Sequence, residues 1–537
     1  MRKIPVAMAT QHADSATRQI LVKEEPDEAI SSFKMKDGFG CGEYLVDYMG
    51  KLTPYHQVGQ IILKIRQETN FTPGRDVFVT PRMVSSFQEE PFRQLMTVLA
   101  IIEGIRHCIQ HFKEQGIIEV VQAFTGTTEE LRMCKERCES LLALVGKHLR
   151  MSTKGMGLRI VPLFGGIAEQ LSIQQVLPSF IKDVDVKDYA RVFIGKSEPS
   201  LLYGHLASVL SCKIAIASCH KVEASSGIEV HPIFGGGALP FRGHITLENA
   251  SNFLKEYRGV HTYTIQSGMR YDHGLKKTRA LVKKIKKGVQ KEPLDFDSDQ
   301  LAKMGQMVFI FAKNYLIELS EIAEKVLMMV DYMPNQRERL LDVEDVAYYR
   351  ELRDIKSILK LCPDKGVRKN ILKYRSTTFR KPPRWMKFVA ATYTCGLPPE
   401  FIGAGNALIE IKDTMGEEWV EAFLTNIYPS FRADIKFASR FLDRDPKHNM
   451  LLTRRLATSI KVLESFVEFA EPDNSYNILS RVATTYLKDT LAGKISGAKK
   501  LALVVGEGDV AEYLNGTNQE NLRQLILDLG GIRKSLA

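Results

Sequence analysis

The sequence predicts an α/β fold: a (β/α)8 TIM-type barrel elaborated with a large C-terminal α-helical region. Three observations predict it. Eight short apolar runs recur along the first half of the chain, most of them ending in a polar or ionisable residue. An amphipathic helical pattern lies between consecutive runs. The runs stand about 30–45 residues apart, room for one strand, one helix and two loops, the unit such a barrel repeats. No sequence repeat accompanies the spacing, which argues against a solenoid.

The strands are expected in order. The first is Ile4–Met8, with Thr10-Gln11-His12 beyond it. Gly38–Gly42 leads into the second, Tyr44–Asp47, and Thr72-Pro-Gly-Arg-Asp76 into the third, Val77–Thr80. The fourth is Ile118–Val121, between two helical patterns, Glu90–Lys113 and Glu129–Leu149, with apolar residues at three-to-four spacing. Lys154–Gly157 precedes the fifth, Leu158–Leu163. The sixth is Val192–Ile194, and Ser225–Gly227 precedes the seventh, Ile228–Ile233. The eighth is Thr262–Ile265. Glycine and proline at these junctions are turn signals between elements of different period.

The barrel is expected over residues 1–291 and the helical region over 292–537. Glu292–Ser298 reads as a linker, with Asp297 or Ser298 capping a helix whose apolar face includes Leu301, Met304, Val308, Phe311 and Tyr315. Met333–Arg339 breaks that run, another helix begins near Trp385, and Pro398-Pro399 and Gly403–Gly405 mark a break before Asn406–Met415. Helices then fill Trp419 to the C-terminus, with a turn at Glu471–Asn474.

Composition narrows the function classes. The 537 residues are 44% hydrophobic and 26% charged, which suits a buried core. The net charge of +11 suits anionic ligands. Its densest run, Lys276–Lys291, has Leu275, Leu281, Val282 and Ile285 on one face and no interleaved aromatic residues, so it reads as a solvated outer helix and no nucleic-acid partner is expected. Neither Cys134 and Cys138 nor His107 and His111 has a partner cluster with zinc spacing. No run is long enough to span a membrane, and a cytoplasmic protein is expected.

In a barrel of this kind, residues just past each strand gather at one mouth. The candidates are His12, Asp47, Arg82, Glu119, Gly165, Glu198, the loop Gly235–His244, and Gln266 to Asp272. The densest motif is His231-Pro-Ile-Phe-Gly-Gly-Gly-Ala-Leu-Pro-Phe-Arg-Gly-His244, a strand running into Gly235, Gly236 and Gly237 with Arg242 shortly after. Glycines let backbone N–H groups approach an oxyanion, and arginine binds phosphate or carboxylate with two parallel hydrogen bonds. His12 is a candidate acid or base. Gly195-Lys196-Ser197 resembles the end of a phosphate-binding P-loop, but position 190 is Ala190, not glycine, so that reading is rejected. Converging arginines, a histidine and few carboxylates describe a site for a small dianion.

Several longer motifs occur together and in order: Met8–His12, Gly50–Gln57, Val79–Arg82, Phe92–Met96, Leu239–His244, Gln266–Gly274, Tyr393-Thr-Cys-Gly-Leu-Pro-Pro-Glu400 and Ile532–Leu536. Over nearly its whole length the chain resembles the archaeal-type phosphoenolpyruvate carboxylases, as a divergent member. The resemblance implies formation of oxaloacetate and phosphate from phosphoenolpyruvate and bicarbonate with Mg2+ or Mn2+, through carboxyphosphate and an enolate, in a homotetramer. It implies His12, Arg242 and Arg82 as catalytic residues. Arg384, Gly235, Gly236, Gly237, Gln266 and Arg270 are implied in substrate binding.

The chain departs from the family pattern at the metal. The family has a glutamate after the fifth strand, where this chain has Gly165-Gly166. It has an aspartate after the sixth, where this chain has Glu198, the one metal ligand expected here. Met49 and Ala13 replace a glutamate and a proline of two further motifs. Three readings follow: a carboxylase with a rebuilt metal site, a catalytically impaired member that binds ligands or partners, or a barrel enzyme with altered phosphoenolpyruvate-related chemistry.

Overall fold

The computed structural model describes residues 3–51, 53–85, 87, 90–338, 355–378, 382–491 and 518–537. Eight parallel strands close into a barrel in sequence order: β1 Ala7–Thr10, β2 Glu43–Asp47, β3 Phe78–Met83, β4 Glu119–Gln122, β5 Arg159–Phe164, β6 Tyr189–Gly195, β7 Glu229–Gly235 and β8 Thr262–Ile265. β1 pairs with both β2 and β8, which completes the ring. The helices that return the chain are α1 Glu25–Phe33, α2 Gln57–Glu68, α3 Pro91–Phe112, α4 Thr128–His148, the pair α5 Ile167–Leu171 and α6 Ile173–Asp183, the pair α7 Ser197–Tyr203 and α8 His205–Ser226, α9 Ala250–Glu256 and α10 Gly274–Gly288.

Alternation along the strands sorts the side chains. Met8, Leu45, Val121, Val161, Leu163, Phe193 and Ile233 form a small cluster of their own inside the barrel. Their strand neighbours Ala7, Ala9, Tyr44, Val46, Val120, Ile160, Val192, Ile194 and Phe234 pack outward among the helices. Two residues toward the N-terminal end of the inner cluster lies a charged layer. Arg191 donates to Glu43 Oε2 at 2.8 Å, to Glu119 Oε2 at 2.5 Å and to Thr262 Oγ1 at 3.1 Å. This corrects one expectation. Glu119 opens β4 instead of ending it and lies at the opposite end of the barrel from the mouth. β1 also runs two residues further than expected, so Thr10 is its last residue.

The second half is helical. Gln300 N–H donates to the Asp297 carboxylate at 2.8 Å, capping α11 Ser298–Ser320 as expected, and α12 Ala323–Val330 follows. Leu206, Leu210, Val308 and Tyr315 belong to one core that runs from the outer barrel helices through the helical region. At Gly204 the chain turns from α7 to α8 with φ of 92°, and a Cβ there would stand 2.7 Å from the Tyr315 ring. Arg337 reaches back to α1, donating to Glu25 Oε1 at 2.9 Å and to Glu28. Arg339 and residues 492–517, where a break and further helix were expected, lie outside the described residues. Among the described residues no helix is long and apolar enough to cross a membrane. The basic helix α10 buries Leu281, Val282 and Ile285 against the barrel and leaves Leu275 exposed.

Candidate active site

Arg242 is the centre of the mouth. After β7 the chain crosses Gly236 and Gly237, then makes one tight turn at Pro240–Arg242. Backbone bonds knit the loop: Gly237 N–H to Arg242 O at 2.7 Å, Ile245 N–H to Gly237 O at 2.9 Å, and His244 N–H to Leu239 O at 3.0 Å. The arginine then folds back over its own loop. A Cβ on Gly237 would lie 2.6 Å from Arg242 Nη1 and 2.7 Å from its Cζ, so only glycine leaves room for the guanidinium.

The Arg242 side chain is fully buried and almost fully committed. Nε donates to Ser197 Oγ at 3.0 Å, Nη1 to Asp14 Oδ2 at 2.8 Å and to the Ala537 carbonyl at 3.2 Å, and Nη2 to Gln266 Oε1. Among the described residues four of the five guanidinium N–H groups are thereby engaged, which leaves one Nη2 hydrogen for an incoming acceptor. The Trp385 ring covers one face of the guanidinium, its centroid 3.6 Å from Cζ. Burial pulls the Arg242 pKa down to about 10, with Asp14 opposing it, so the group stays cationic at neutral pH.

Asp14 ties this arginine to the first strand. Its Oδ1 accepts from Gly268 N–H at 2.8 Å and from Ser267 Oγ at 2.9 Å. Asp272 holds the residues that follow, accepting from Ser15 Oγ at 2.6 Å and Ala16 N–H at 2.7 Å. His12 lies between these anchors, partly exposed, with Nδ1 2.9 Å from Thr10 Oγ1 and its ring centroid 6.2 Å from that of Trp385. His12, Trp385, Arg242, Asp14, Gln266 and Ser197 therefore form one group. Asp14, Ser197 and Trp385 escaped the sequence reading, although each adjoins or nearly adjoins a named candidate. Their neighbours His12, Glu198 and Arg384 were the signal.

The other candidates have partners of their own. Arg82, inward-facing near the end of β3, makes a two-pronged pair with Asp47, Nε to Oδ1 at 2.9 Å and Nη2 to Oδ2 at 2.6 Å. Arg270 is buried on the outer side of β1, donating to the Thr10 carbonyl and to Glu28 Oε1, both at 2.7 Å. Arg384 precedes the helix Trp385–Thr394 and donates to Asn335 Oδ1 at 3.2 Å.

The residues at a metal position are few. Gly165 ends the inward column of β5, and a Cβ there would meet Leu163 Cδ2 at 3.2 Å and the Phe124 ring at 3.5 Å. The nearest carboxylate, Glu169, accepts from the N–H groups of Gly165 at 2.8 Å and Gly166 at 3.0 Å as the cap of α5. Glu198 stands half-buried in the first turn of α7, next to Ser197 and so beside the Arg242 group. No group of three His, Cys, Asp or Glu residues among the described residues could hold a metal ion. A cation held largely by phosphate and water would ask no more of the protein than a carboxylate such as Glu198. Mg2+ is commonly held by one or two carboxylates plus substrate phosphate and water.

The chain is similar in sequence to known proteins along nearly all of its length. A family model described as phosphoenolpyruvate carboxylase matches residues 4–537. The phosphoenolpyruvate carboxylase of Methanosarcina acetivorans is 37% identical over 484 residues, covering 88% of this chain and 91% of its own. That of Methanopyrus kandleri is 33% identical over 549 residues, 99% of this chain and 98% of its own. That of Oenococcus oeni is 24% identical, with 87% and 90% covered.

Proposed function

The chain belongs to the archaeal-type phosphoenolpyruvate carboxylase family, and from that premise we propose that it makes oxaloacetate and phosphate from phosphoenolpyruvate and bicarbonate, as a homotetramer of the family's kind. One observation carries the reading: a fully buried, cationic Arg242 held at the barrel mouth by Asp14, Gln266 and Ser197, beside His12. A positive charge fixed in a water-poor site suits a phosphoryl group that gains negative charge as it is transferred.

The roles divide as follows. Arg242 holds the phosphoryl group, with Gln266 orienting the guanidinium, and Gly235–Gly237 shape the loop around it, the N–H groups of Gly236 and Gly237 being given to Thr264 Oγ1 and the Arg242 carbonyl. Arg384 and Arg82 line the remainder of the anionic site, and Arg270 steadies β1 through the Thr10 carbonyl. A bicarbonate oxygen attacks phosphorus, the bond to the enolate oxygen breaks, and carboxyphosphate and enolate are left in place. His12 takes the carboxyphosphate proton at Nε2, the atom across the ring from the one facing Thr10. Carbon dioxide and phosphate separate, and the enolate carbon captures the carbon dioxide. Glu198 would hold Mg2+ or Mn2+, which supplies positive charge against the phosphate and the enolate oxygen.

The test is oxaloacetate formation by the purified chain, coupled to malate dehydrogenase, with phosphoenolpyruvate, bicarbonate and either metal. Turnover that stops without bicarbonate or with chelator is the expected result. Folded protein without turnover under both metals would overturn it. Gly165 favours a second reading, a member that binds phosphoenolpyruvate without converting it. Calorimetry showing binding without turnover would establish that reading.

A further inference from the structure

The geometry points to Glu400 and Lys196 as positioning residues that aim Arg242 at its anionic ligand by gripping the backbone of Phe241 from opposite sides. The Phe241 N–H donates to Glu400 Oε1 at 2.8 Å. The Phe241 carbonyl accepts from Lys196 Nζ at 3.2 Å and from Ser200 Oγ at 3.0 Å. Phe241 immediately precedes Arg242, so the two contacts fix the dihedrals that launch the arginine. Glu400 comes from the turn Pro399–Phe401 in the helical region, and Lys196 from the end of β6.

What singles these two out is the company they keep. Both side chains are fully buried. Glu400 Oε1 accepts from Tyr393 Oη at 2.8 Å as well as from Phe241, and its Oε2 has no hydrogen-bond partner among the described residues. Lys196 Nζ reaches Ser200 Oγ at 2.9 Å, the His205 carbonyl at 3.4 Å and His205 Nδ1 at 3.5 Å. Neither makes an ion pair with an opposite charge among the described residues. Burying an ionisable group without a counter-ion is costly, and a neutral residue would fill either space at less expense. What the two groups add is reach: one carboxyl oxygen accepts from the Phe241 N–H and one amino group donates to its carbonyl, so both backbone atoms of one residue are held.

The grip is itself braced. Neutral His205 passes a hydrogen bond from Nε2 to Tyr428 Oη at 3.0 Å, Tyr428 donates to Asp434 Oδ2 at 2.5 Å, and His244 Nδ1 meets Asp434 Oδ1 at 2.5 Å. The chain of bonds that starts at Lys196 therefore returns to the same loop two residues beyond Arg242. Ser197, next to Lys196, takes Arg242 Nε directly.

This inference rests on reading Arg242 as the ligand-binding arginine, and a double-mutant cycle on the full chain tests it. Phosphoenolpyruvate affinity is measured by calorimetry, alongside oxaloacetate kinetics and thermal melts. Glu400→Leu and Lys196→Met should each weaken phosphoenolpyruvate binding about 10–100-fold, the scale of a roughly 1 Å misplacement. Glu400→Gln keeps an acceptor for the Phe241 N–H and should lose less than about 3-fold. In an Arg242→Gln background Glu400→Leu should change affinity less than about 2-fold, because the residue it aims is gone. Equal losses in both backgrounds, or unchanged affinity in folded Glu400→Leu, would overturn the assignment. If Glu400→Leu does not fold, Lys196→Met carries the same cycle. Wild-type protein that binds phosphoenolpyruvate without making oxaloacetate removes the carboxylase reading alone. Protein that binds none removes both.

Discussion

A carboxylate placed at position 165 would lie at the end of the inward column of β5, one strand from Ser197 and Glu198. The backbone there carries no positive φ, and the nearest neighbours of an added Cβ are a leucine methyl at 3.2 Å and a phenylalanine ring at 3.5 Å, which yield by small rotations. Gly165→Glu should therefore fold, and it should tighten Mn2+ binding about 10-fold or more by giving the cation a second protein carboxylate. Calorimetric titration of Mn2+ into the phosphoenolpyruvate complex reads this directly, and an unchanged affinity would move the metal away from this strand end. Gly237 makes the opposite case. A methyl there collides with the Arg242 guanidinium, so Gly237→Ala should weaken phosphoenolpyruvate binding about 10–100-fold. The thermal melt of that variant should fall as well, since Leu239 and Phe241 of the same loop are buried in the core. At His12 the expected split is different. His12→Asn should bind phosphoenolpyruvate within about 3-fold of the parent and lose turnover about 100-fold or more, because only the proton transfer is removed.

At the level of strands and helices, most of the fold was legible because alternation and turn residues are local. The three glycines, the arginine beyond them and the strand ends at Asp47 and Gly165 were all placed from the run of apolar residues. Glu119 was misplaced because Ile118–Val121 is apolar on both sides of it, and a strand's direction toward the mouth depends on where pairing begins. Where the Arg270 side chain points was not legible either, since it sits on the turn beyond β8. The turn Gly268–Asp272 carries successive side chains to opposite sides, Arg270 to Glu28 behind β1 and Asp272 to the loop after His12. Trp385 and Glu400 were beyond reach, since they meet Arg242 and Phe241 only through a docking of distant segments. The junction of α7 and α8 supplies an element-scale test of that docking. Gly204 has φ of 92° and ψ of 160°, a region that essentially only glycine enters, and its Cα faces Tyr315 of α11. Gly204→Ala should cost about 1–3 kcal/mol in strain alone, with the Tyr315 clash adding to it. A clear fall in the urea midpoint is expected, and an unchanged midpoint would mean that the two halves do not meet in this way.

Taken whole, the molecule is a barrel whose mouth is completed by residues from its second half, and the joins between the halves are polar as well as apolar. Arg337 joins α12's far end to Glu25 and Glu28, Tyr428 and Asp434 join His205 and His244, and Leu536 N–H donates to the Asp14 carbonyl at 2.8 Å. One of these joins, His205 to Tyr428, is made by a neutral imidazole, and three further imidazoles are held neutral elsewhere. Burial holds His205 well below its ordinary pKa, lowers His273 to about 4 and His261 to about 3, and lowers His231 as well. A base depressed in the folded state contributes stability that is present above its unfolded pKa, near 6.5, and is lost as the pH falls through the folded value. Glu318 and Glu400 work against this, because burial raises both to about 7 and the folded state takes up their protons over the same range. Burial raises Glu43 and Asp272 as well, so four carboxylates oppose the four imidazoles, and the imidazole part is read against a chain that lacks one of them. The stability carried by each imidazole should fall as the pH drops below 6.5 toward its folded value. His205 matters most for function because its protonation would remove the acceptor facing Lys196 and break the path to Tyr428. Urea midpoints of the parent and of a His273→Gln chain are measured at half-unit steps from pH 7.5 to pH 4. The His273→Gln chain should gain on the parent as the pH falls from 6.5 to 4, because one of the four depressed imidazoles is gone. Parallel profiles in the two chains would mean that His273 already carries its proton in the folded molecule.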